Sequence, residues 1–319
     1  MAKQQQQSQE TTPSDHKVIF ITGGSSGVGR SAVKLFVSKG HTVVFTGRSS
    51  ARLEDAIKWI QPSKEERSRL YPLILDQESL ESVRNAVTVF KSFNFPSLDI
   101  LINNAGCSNP TLRYTADSTR VESTIFANTV APWYLSMLLI PLMHSGSRIL
   151  FIATGHHDPE RKDFMMRMLN NDAILDPDMF NKLDGKENYT AMAYYKISKL
   201  AMIWISYVLA KQYPDISVLS ACPGFVPETD LGREMPWLMQ VIMKNVMHYV
   251  IPDAVTAHQS ASEYVYYTTS DKLEGVTATF FSHGEIRKSS KRSYNMEEAN
   301  KFWNLCCEIC NTPEHIINL

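Results

Sequence analysis

The chain has 319 residues, of which 44% are hydrophobic and 20% charged, and its 32 basic and 33 acidic side chains give a formal net charge of −1. A chain this apolar can build a sizeable core, and its balanced charge gives no electrostatic footprint for nucleic acid, whose binders carry clustered positive charge. The five cysteines are an odd number in a long chain, which is typical of reduced thiols in the cytoplasm.

The N-terminal residues 1–16 are polar and contain no apolar run, so we expect a disordered tail and not a targeting signal. The longest charge-free stretch, 123–147, has an apolar part at 130–143 that is as long as a core helix and too short for a membrane span. We therefore expect a cytoplasmic protein without a transmembrane segment. Peripheral contact with an internal membrane is left open.

Short apolar runs alternate with segments of helical periodicity from residue 17 to the last helix. Strands are predicted at 17–22, 42–46, 71–76, 98–103, 148–154, 216–222 and 278–281. Helices are predicted at 27–39, 50–60, 80–90, 117–144, 190–212, 252–267 and 296–310, the last one opened by a capping box of Asn295 and Glu298. This alternation predicts an α/β fold with a doubly wound parallel sheet, the Rossmann fold, in a single domain over residues 17–319.

A glycine-rich loop follows the first predicted strand, and a helix begins within it. Its sequence is Thr22-Gly23-Gly24-Ser25-Ser26-Gly27-Val28-Gly29. The backbone N–H groups at a helix N-terminus bind a pyrophosphate, and glycine lets the chain turn tightly and approach the ligand closely. The loop therefore predicts a dinucleotide site, with an ordinary glycine-rich turn as the alternative.

The spacing T-G-x-x-x-G-x-G resembles that of the short-chain dehydrogenase/reductase family, and further motifs follow in that family's order. Asn103-Asn104-Ala105-Gly106 resembles its N-N-A-G, and Asn128 lies where the family has a catalytic asparagine. The segment 195–199 resembles its Y-x-x-S-K, and 222–224 its P-G. The resemblance spans residues 17–230 and implies an oxidoreductase with a nicotinamide cofactor.

The resemblance implies a set of cofactor-binding residues distributed over the whole domain. They are Gly23, Ser25, Ser26, Gly27, Val28, Gly29, Arg48, Asp76, Asn104, Ala105, Gly106, Tyr195, Lys199, Pro223, Gly224, Val226 and Thr229. Asp76 would be the family's acidic residue on the adenine side, or else the N-cap of the following helix.

The end of the second strand indicates which nicotinamide cofactor is used. An acidic residue there binds the ribose 2′-hydroxyl of NAD, whereas an arginine accommodates the 2′-phosphate of NADP. Gly47 occupies the acidic position and Arg48 follows it. We therefore predict NADP (NADPH), with a merely solvated Arg48 as the alternative.

Tyr195 and Lys199 lie four residues apart and share one face of a predicted helix. A neighbouring ammonium and an oxidised nicotinamide both favour a phenolate, so we expect a lowered pKa for Tyr195, which would act as general acid and base. Tyr207 and Lys211 have the same spacing, and we interpret them as a buried ring and a solvated lysine. Position distinguishes the two pairs, because Tyr195 can lie near the carboxyl end of the fifth strand, where ligands bind.

Two further catalytic residues are implied by the resemblance. Thr154 stands where the family has a serine; its hydroxyl can still bind a substrate oxygen, although its methyl group restricts χ1. Asn128 would hold a water near Lys199, or would instead kink its helix before Pro132. We expect Asn128, Thr154, Tyr195 and Lys199 to form the catalytic group.

Two segments are candidates for contact with the substrate: an insert at 155–190 and a Met-rich lid at 226–251. The insert, the run 189–195 and the C-terminal segment 302–304 resemble the retinol dehydrogenase branch of the family, with its WW-domain oxidoreductase relatives, and 223–229 resembles protochlorophyllide reductase. That resemblance implies a small hydrophobic carbonyl or alcohol as substrate and a role in lipid metabolism. Within the lid, 229–251 would alternatively be a core or dimer-packing helix, so homodimer and monomer both stay open.

Three other polar clusters favour structural interpretations. The segment 156–158 has no third ligand at helical spacing, so no metal site is predicted. Cys306, Cys307 and Cys310 are interpreted as core thiols, and 287–292 as a solvated loop, with lipid head groups as the alternative contact.

The leading hypothesis is therefore an NADP(H)-dependent oxidoreductase acting on a lipophilic ketone or aldehyde. Because Thr154 replaces the usual serine, a non-catalytic nucleotide-binding scaffold on the same fold is an alternative. Reduction of a C=C bond, with the tyrosine protonating carbon, is another.

Overall fold

A computed structural model of the chain describes residues 16–160, 176, 178–227 and 254–312. Most of the predicted tail 1–16, Thr229 and nearly all of the predicted lid lie outside the described residues. The predicted insert is described at its two ends only.

The described chain forms one eight-stranded sheet in the order β3-β2-β1-β4-β5-β6-β7-β8. The first seven strands pair in parallel and β8 pairs antiparallel to β7. The strands are β1 Val18–Ile21, β2 Thr42–Gly47, β3 Leu70–Ile74, β4 Leu98–Asn103, β5 Met143–Ile152, β6 Ser217–Cys222, β7 Thr279–Ser282 and β8 Glu285–Arg287. The predicted doubly wound fold in a single domain is confirmed, apart from the antiparallel edge strand.

Helices cover both faces of this sheet. They are α1 Gly27–Ser38, α2 Ser50–Ile60, α3 Lys64–Ser68, α4 Leu80–Ser92, α5 Ser123–Leu142, α6 Ala191–Gln212, α7 Ala257–Thr269 and α8 Met296–Cys310. Buried residues of α1, α2 and α7 pack on one face, and those of α4, α5, α6 and α8 pack on the other. The second face is closed by an edge-to-face pair of Trp133 and Trp303, whose ring centroids are 5.3 Å apart.

The strand order reverses between β1 and β4, which are neighbours in the sheet although two strands separate them in the chain. Loops that leave adjacent parallel strands in opposite directions open a crevice at the carboxyl ends of those strands. The glycine-rich loop after β1 and the loop after β4 therefore lie side by side, and this crevice locates the candidate site.

Helix α5 begins at Ser123, whereas the sequence predicted a start near 117. Residues 115–118 form a tight turn closed by a bridge between Thr115 and Ser118, and the Asp117 carboxylate accepts the N–H of Leu80 at 2.8 Å. The helix starts where the Glu122 carboxylate accepts two backbone N–H groups, each at 2.8 Å. Burial raises the pKa of Glu122 to about 6.

Only one of the two interactions of the predicted capping box at the start of α8 forms. Asn295 does cap the helix, accepting the N–H groups of residues 297 and 298. Glu298, however, makes a double contact with the Arg292 guanidinium instead of reaching back to residue 295. The ion pair forms because both side chains are largely buried, where a guanidinium needs a carboxylate partner.

The segment 287–292 was predicted to be a solvated loop, and this prediction is also wrong in part. Arg287 belongs to β8, and Ser289 and Ser290 are buried. Arg287, Lys288 and Lys291 keep the expected exposure. The three cysteines of α8, in contrast, are buried as predicted: Cys306, Cys307 and Cys310.

Among the described residues, Ser123–Leu142 is the one helix with the length and hydropathy of a membrane span. In its most apolar window, 78% of the residues are buried inside the protein. This is the burial of a core helix, which agrees with the interpretation of 130–143.

The amino ends of the central strands β4 and β5, away from the crevice, carry a titratable ion pair. His144 Nε2 lies 2.9 Å from Asp99 Oδ1, while Asp99 Oδ2 accepts the N–H of Val18 at 2.7 Å. The hydrogen bond to the Asp99 carboxylate raises the pKa of His144 above 6.5, its ordinary value. The imidazolium therefore stabilises the fold fully below that ordinary value, and this stabilisation is lost as the pH rises through the raised pKa.

We expect His144→Gln to lower the urea midpoint of unfolding at about pH 6 and to leave it nearly unchanged at about pH 8.5. The effect should be no more than about 1 kcal/mol, since the pair is partly exposed. His258→Gln, at an exposed position on α7, is the matched substitution against which the His144→Gln midpoints are compared. A His144→Gln effect that grows with pH would contradict the assignment.

Candidate active site

The loops after β1 and β4 are joined by hydrogen bonds around Thr22. The Thr22 hydroxyl accepts the N–H groups of Asn104 and Ala105, both at 3.0 Å. The Asn104 amide donates to the carbonyl of Thr22 at 2.8 Å. These contacts hold the two loops of the crevice together as one rigid unit.

Gly29, in the first turn of α1, allows the helix to approach this unit. A Cβ atom at Gly29 would lie 2.4 Å from the carbonyl oxygen of Gly23 and 2.5 Å from Nδ2 of Asn104, both closer than real Cβ contacts. Ser26 occupies the N-cap position, but its side chain makes no capping hydrogen bond. The first turn can therefore direct backbone N–H groups to a bound anion, which fits the predicted pyrophosphate site.

The end of β2 closes the same crevice. A Cβ atom at Gly47 would lie 3.0 Å from Cβ of Ser25 and 3.1 Å from Cδ2 of Leu53, so a larger side chain would press on the glycine-rich loop. Arg48 follows with an exposed side chain. The guanidinium at this strand end is therefore open to solvent.

Asp76 follows β3, and its alternative role as the N-cap of α4 is wrong. The cap is Ser79, which accepts the N–H of Ser82, whereas Asp76 accepts the N–H of Glu78 at 3.0 Å. The Asp76 carboxylate therefore fixes a turn before the helix. Its contact with an adenine stays a prediction.

Tyr195 and Lys199 lie in the second and third turns of α6, which begins after its N-cap Thr190. Lys199 Nζ donates to the carbonyl of Ile152, the last residue of β5, at 2.7 Å. Lys199 Nζ lies 5.6 Å from the centre of the Tyr195 ring. A Cβ atom at Gly106 would lie 3.3 Å from the same Nζ. The helix thus brings both side chains to the carboxyl ends of β4 and β5, as predicted.

The protein by itself does not give Tyr195 the lowered pKa that the sequence predicted. Burial raises the pKa of Tyr195 above its ordinary value of 10 and lowers the pKa of Lys199 to about 8. Both side chains are at least nine-tenths buried, so the loss of hydration outweighs the attraction between ammonium and phenolate. The sequence prediction considered the charge and missed the burial.

Asn128 lies in a π-helical turn, Phe126–Val130, inside α5. Its side chain is fully buried and pairs with both backbone groups of Cys107: Oδ1 accepts the N–H at 2.8 Å, and Nδ2 donates to the carbonyl at 2.9 Å. Nδ2 also contacts the Ser198 hydroxyl at 3.0 Å. Asn128 therefore ties the loop after β4 to α6.

The π turn has a consequence for the water that Asn128 was predicted to hold. Ala131 donates to the carbonyl five residues back, and Pro132 has no N–H with which to close the regular bond to the Asn128 carbonyl. Since the side-chain amide is already bonded to Cys107 and Ser198, contact with a water would come from the backbone carbonyl. The π turn before Pro132 is therefore compatible with the predicted contact between Asn128 and a water, which stays a prediction.

Thr154 follows β5 and is buried. Its hydroxyl oxygen accepts the N–H of His156 at 3.4 Å, which caps a 3₁₀ turn at Gly155–His157. The N–H of Gly155 contacts the Cys222 sulfur at 3.2 Å. Helix α6 packs against this turn, so the structure brings Thr154 to the same strand end as Tyr195 and Lys199.

Four of the predicted cofactor residues follow β6 in the chain. Pro223 and Gly224 begin the segment that follows the strand, and Phe225 forms a bridge with Ala254. Val226 is buried, and Thr229 lies outside the described residues. Their contact with a nicotinamide therefore stays a prediction.

The second tyrosine–lysine pair of α6 is structural, as interpreted. The Tyr207 hydroxyl lies 2.7 Å from the Ser289 hydroxyl and is buried, whereas Lys211 is exposed. Across the described ranges, no cluster of three or more His, Cys, Asp or Glu side chains could hold a metal ion.

Sequence reasoning missed two residues that support the site. The buried Tyr264 on α7 donates its hydroxyl to Oδ1 of Asn104 at 3.2 Å across 160 residues of sequence, and no local signal points to this contact. His157 was considered only as a metal ligand. Its ring instead contacts the Thr154 carbonyl and the N–H of Ser290.

Comparisons with known proteins agree with this geometry. A family model described as short chain dehydrogenase matches residues 17–159. The chain is similar to the WW domain-containing oxidoreductase of Gallus gallus, with 29% identity over 91% of this chain and 67% of that protein. It is also similar to the polyprenol dehydrogenase of Homo sapiens, with 26% identity over 93% and 86%.

A solved structure shares the fold. The structure of a short chain dehydrogenase from Burkholderia cenocepacia in complex with NADP has a TM-score of 0.60 and 21% identity. The match covers 83% of this chain and 95% of that one.

We expect Gly29→Ala to weaken NADPH binding at least about tenfold. Alanine favours an isolated helix by up to about 1 kcal/mol, but here its methyl group would displace Asn104 and the carbonyl of Gly23. Fluorescence titration measures the effect, with Ser38→Ala at the exposed end of the same helix as control. Equal affinities for the two variants would remove the glycine-rich loop from the binding site.

Proposed function

We propose that the chain is a member of the short-chain dehydrogenase/reductase family and acts as an NADP(H)-dependent oxidoreductase that interconverts a lipophilic carbonyl compound and its alcohol. One observation carries the proposal. The bond from Lys199 Nζ to the carbonyl of Ile152 holds Tyr195 at the carboxyl end of β5, beside the crevice between β1 and β4.

The crevice has the features that a nicotinamide dinucleotide requires. Close approach at Gly29 and the first turn of α1 suit the pyrophosphate, and Asn104 holds the neighbouring loop in place. When bound, the cofactor would supply or accept the hydride.

Tyr195 is the proposed proton donor and acceptor. Its raised pKa keeps the phenol protonated at neutral pH, so that the hydroxyl can donate to a carbonyl oxygen as negative charge develops there during reduction. Lys199, with a pKa of about 8, places an ammonium near the ring and stabilises the phenolate that remains. The Thr154 hydroxyl would bind the same substrate oxygen.

Arg48 supports NADP(H) over NAD(H). An acidic side chain at position 47 would crowd Ser25 and Leu53, whereas the exposed guanidinium of Arg48 can bind a 2′-phosphate. The NADP complex of the similar Burkholderia protein is consistent with this choice.

The lipophilic substrate is proposed from sequence and similarity. The Met-rich lid at 226–251 suits an irregular apolar ligand, and the similar human protein is named for a polyprenol. Cytoplasmic location is part of the same proposal.

A nucleotide-binding scaffold is the second candidate, favoured by Thr154 at the position of the family's serine. Incubation with NADPH and a panel of aromatic and long-chain aldehydes distinguishes the two, because only an enzyme consumes NADPH steadily. Binding of NADPH without turnover on any aldehyde would favour the scaffold.

We expect Tyr195→Phe to lower kcat by roughly 10²–10⁴-fold, since it removes the proton donor. Thr154→Ala should also lose turnover, whereas Thr154→Ser keeps the hydroxyl and should retain it. Tyr266→Phe, at an exposed position on α7, is the control and should stay active. Steady-state NADPH consumption measures all four variants, and a fully active Tyr195→Phe enzyme would exclude the mechanism.

Reversing the charge of Arg48 tests the cofactor choice. We expect Arg48→Glu to weaken NADPH binding at least about tenfold and to leave NADH binding the same or stronger, because the carboxylate repels a 2′-phosphate. Arg52→Glu, one turn further along the chain, controls for the change in net charge. An unchanged ratio of NADPH affinity to NADH affinity would show that Arg48 does not bind the 2′-phosphate.

A further inference from the structure

We propose that His157 is a positioning residue for Thr154 and fixes its hydroxyl relative to Tyr195. The inference rests on the proposed function and extends it to a side chain outside the catalytic group. It also assigns a purpose to the C-terminal segment 289–293, which lies far from the catalytic residues in sequence.

The His157 ring is buried, with 1% of its surface exposed, and both ring nitrogens have backbone partners. Nδ1 lies 2.5 Å from the carbonyl oxygen of Thr154, and Nε2 lies 3.0 Å from the nitrogen of Ser290. A carbonyl only accepts and a backbone N–H only donates, so the proton resides on Nδ1 and Nε2 accepts. The ring therefore bridges two segments in one tautomer.

Thr154 needs such a contact because it lies just beyond the sheet. The pairing of β5 with β6 ends at Ile152, and the last ladder-like bond joins the N–H of Ala153 to the carbonyl of Ala221. The carbonyl of Thr154 then turns away and meets the His157 ring. This bond fixes the peptide plane between Thr154 and Gly155, and with it the start of the 3₁₀ turn.

On its other side the bridge leads back to α6. Ser293 donates to the Ser290 carbonyl at 2.6 Å and contacts the Ser289 hydroxyl at 2.6 Å, which in turn contacts Tyr207 at 2.7 Å. The indole N–H of Trp204 donates to the Arg292 carbonyl at 3.1 Å. The segment that receives His157 is thus anchored on the helix that carries Tyr195.

The bridge therefore controls the geometry between two reacting groups. Tyr195 belongs to α6. The bond from the His157 ring to the Thr154 carbonyl fixes the backbone of Thr154, and the anchored segment selects the ring tautomer that makes this bond. A β-branched side chain has few χ1 rotamers for a given backbone, so fixing the backbone of Thr154 also fixes the direction of its hydroxyl. An error of about 1 Å in such a group can cost about 10²-fold in rate.

Two near-isosteric substitutions of His157 test its two hydrogen bonds one at a time. In His157→Asn the side-chain Nδ2 takes the place of Nδ1 and keeps the donation to Thr154, but the acceptor for Ser290 is lost. In His157→Gln the Oε1 takes the place of Nε2 and keeps the acceptor, but the donation to Thr154 is lost. Each variant removes one hydrogen bond, so both should lower Tm by similar amounts.

We expect His157→Gln to lower kcat at least about tenfold with KM for the aldehyde and Kd for NADPH within about twofold of wild type, whereas His157→Asn keeps kcat within about threefold. A merely structural role predicts that kcat follows Tm equally in both variants. That result, or unchanged kcat in both, would overturn the inference.

Hydrogen exchange supplies a measure that does not depend on turnover. We expect faster exchange at the amides of residues 156 and 158 in His157→Gln than in His157→Asn, because only the first variant frees the turn. If wild type binds NADPH and reduces no aldehyde, the proposed function fails, and the exchange pattern alone then decides whether His157 holds the turn. Equal exchange in the two variants would refute the positioning role even in an active enzyme.

Discussion

The buried ammonium of Lys199 is the constraint on which the candidate site depends. Its bond to the carbonyl of Ile152 fixes α6 across the end of β5 and thereby sets the place of Tyr195. The pKa of Lys199 falls from 10.5 to about 8, which corresponds to roughly 3 kcal/mol against the charged form. A methionine or leucine would pack there at less cost, so stability alone does not explain a lysine at this position.

The surrounding contacts share one property: each joins segments that are distant in the chain. Asn128 pairs with the backbone of Cys107 and reaches Ser198, and Asn104 connects the loops after β1 and β4. Buried amides and hydroxyls must find partners inside the protein, so these bonds leave few alternative arrangements. His157 extends this network to Thr154, at the position where the chain departs from the family's serine. A support that holds the backbone of Thr154 is consistent with a hydroxyl that still has a role.

The elements that the sequence predicted well are those with strong periodicity. Strand β4 and helix α2 were predicted with the bounds that the structure has, because continuous apolar runs and a clear helical face leave little choice. Strand β8 was missed because its three residues are all exposed and carry no hydrophobic pattern. The start of α5 was predicted too early because the bond from Leu80 to Asp117, a contact between distant segments, holds the preceding residues in a turn.

The sequence by itself determined the doubly wound fold, the location of the glycine-rich loop and the grouping of Tyr195 with Lys199, because each is encoded in short-range spacing. Only the tertiary structure decided how those groups behave. The phenol is less acidic than the neighbouring lysine suggested, since burial depends on the whole fold and not on the i, i+4 spacing. The partners of Asn128 and the Ser290 partner of His157 likewise lie far away in the chain, where no local pattern records which backbone atoms a buried side chain will meet.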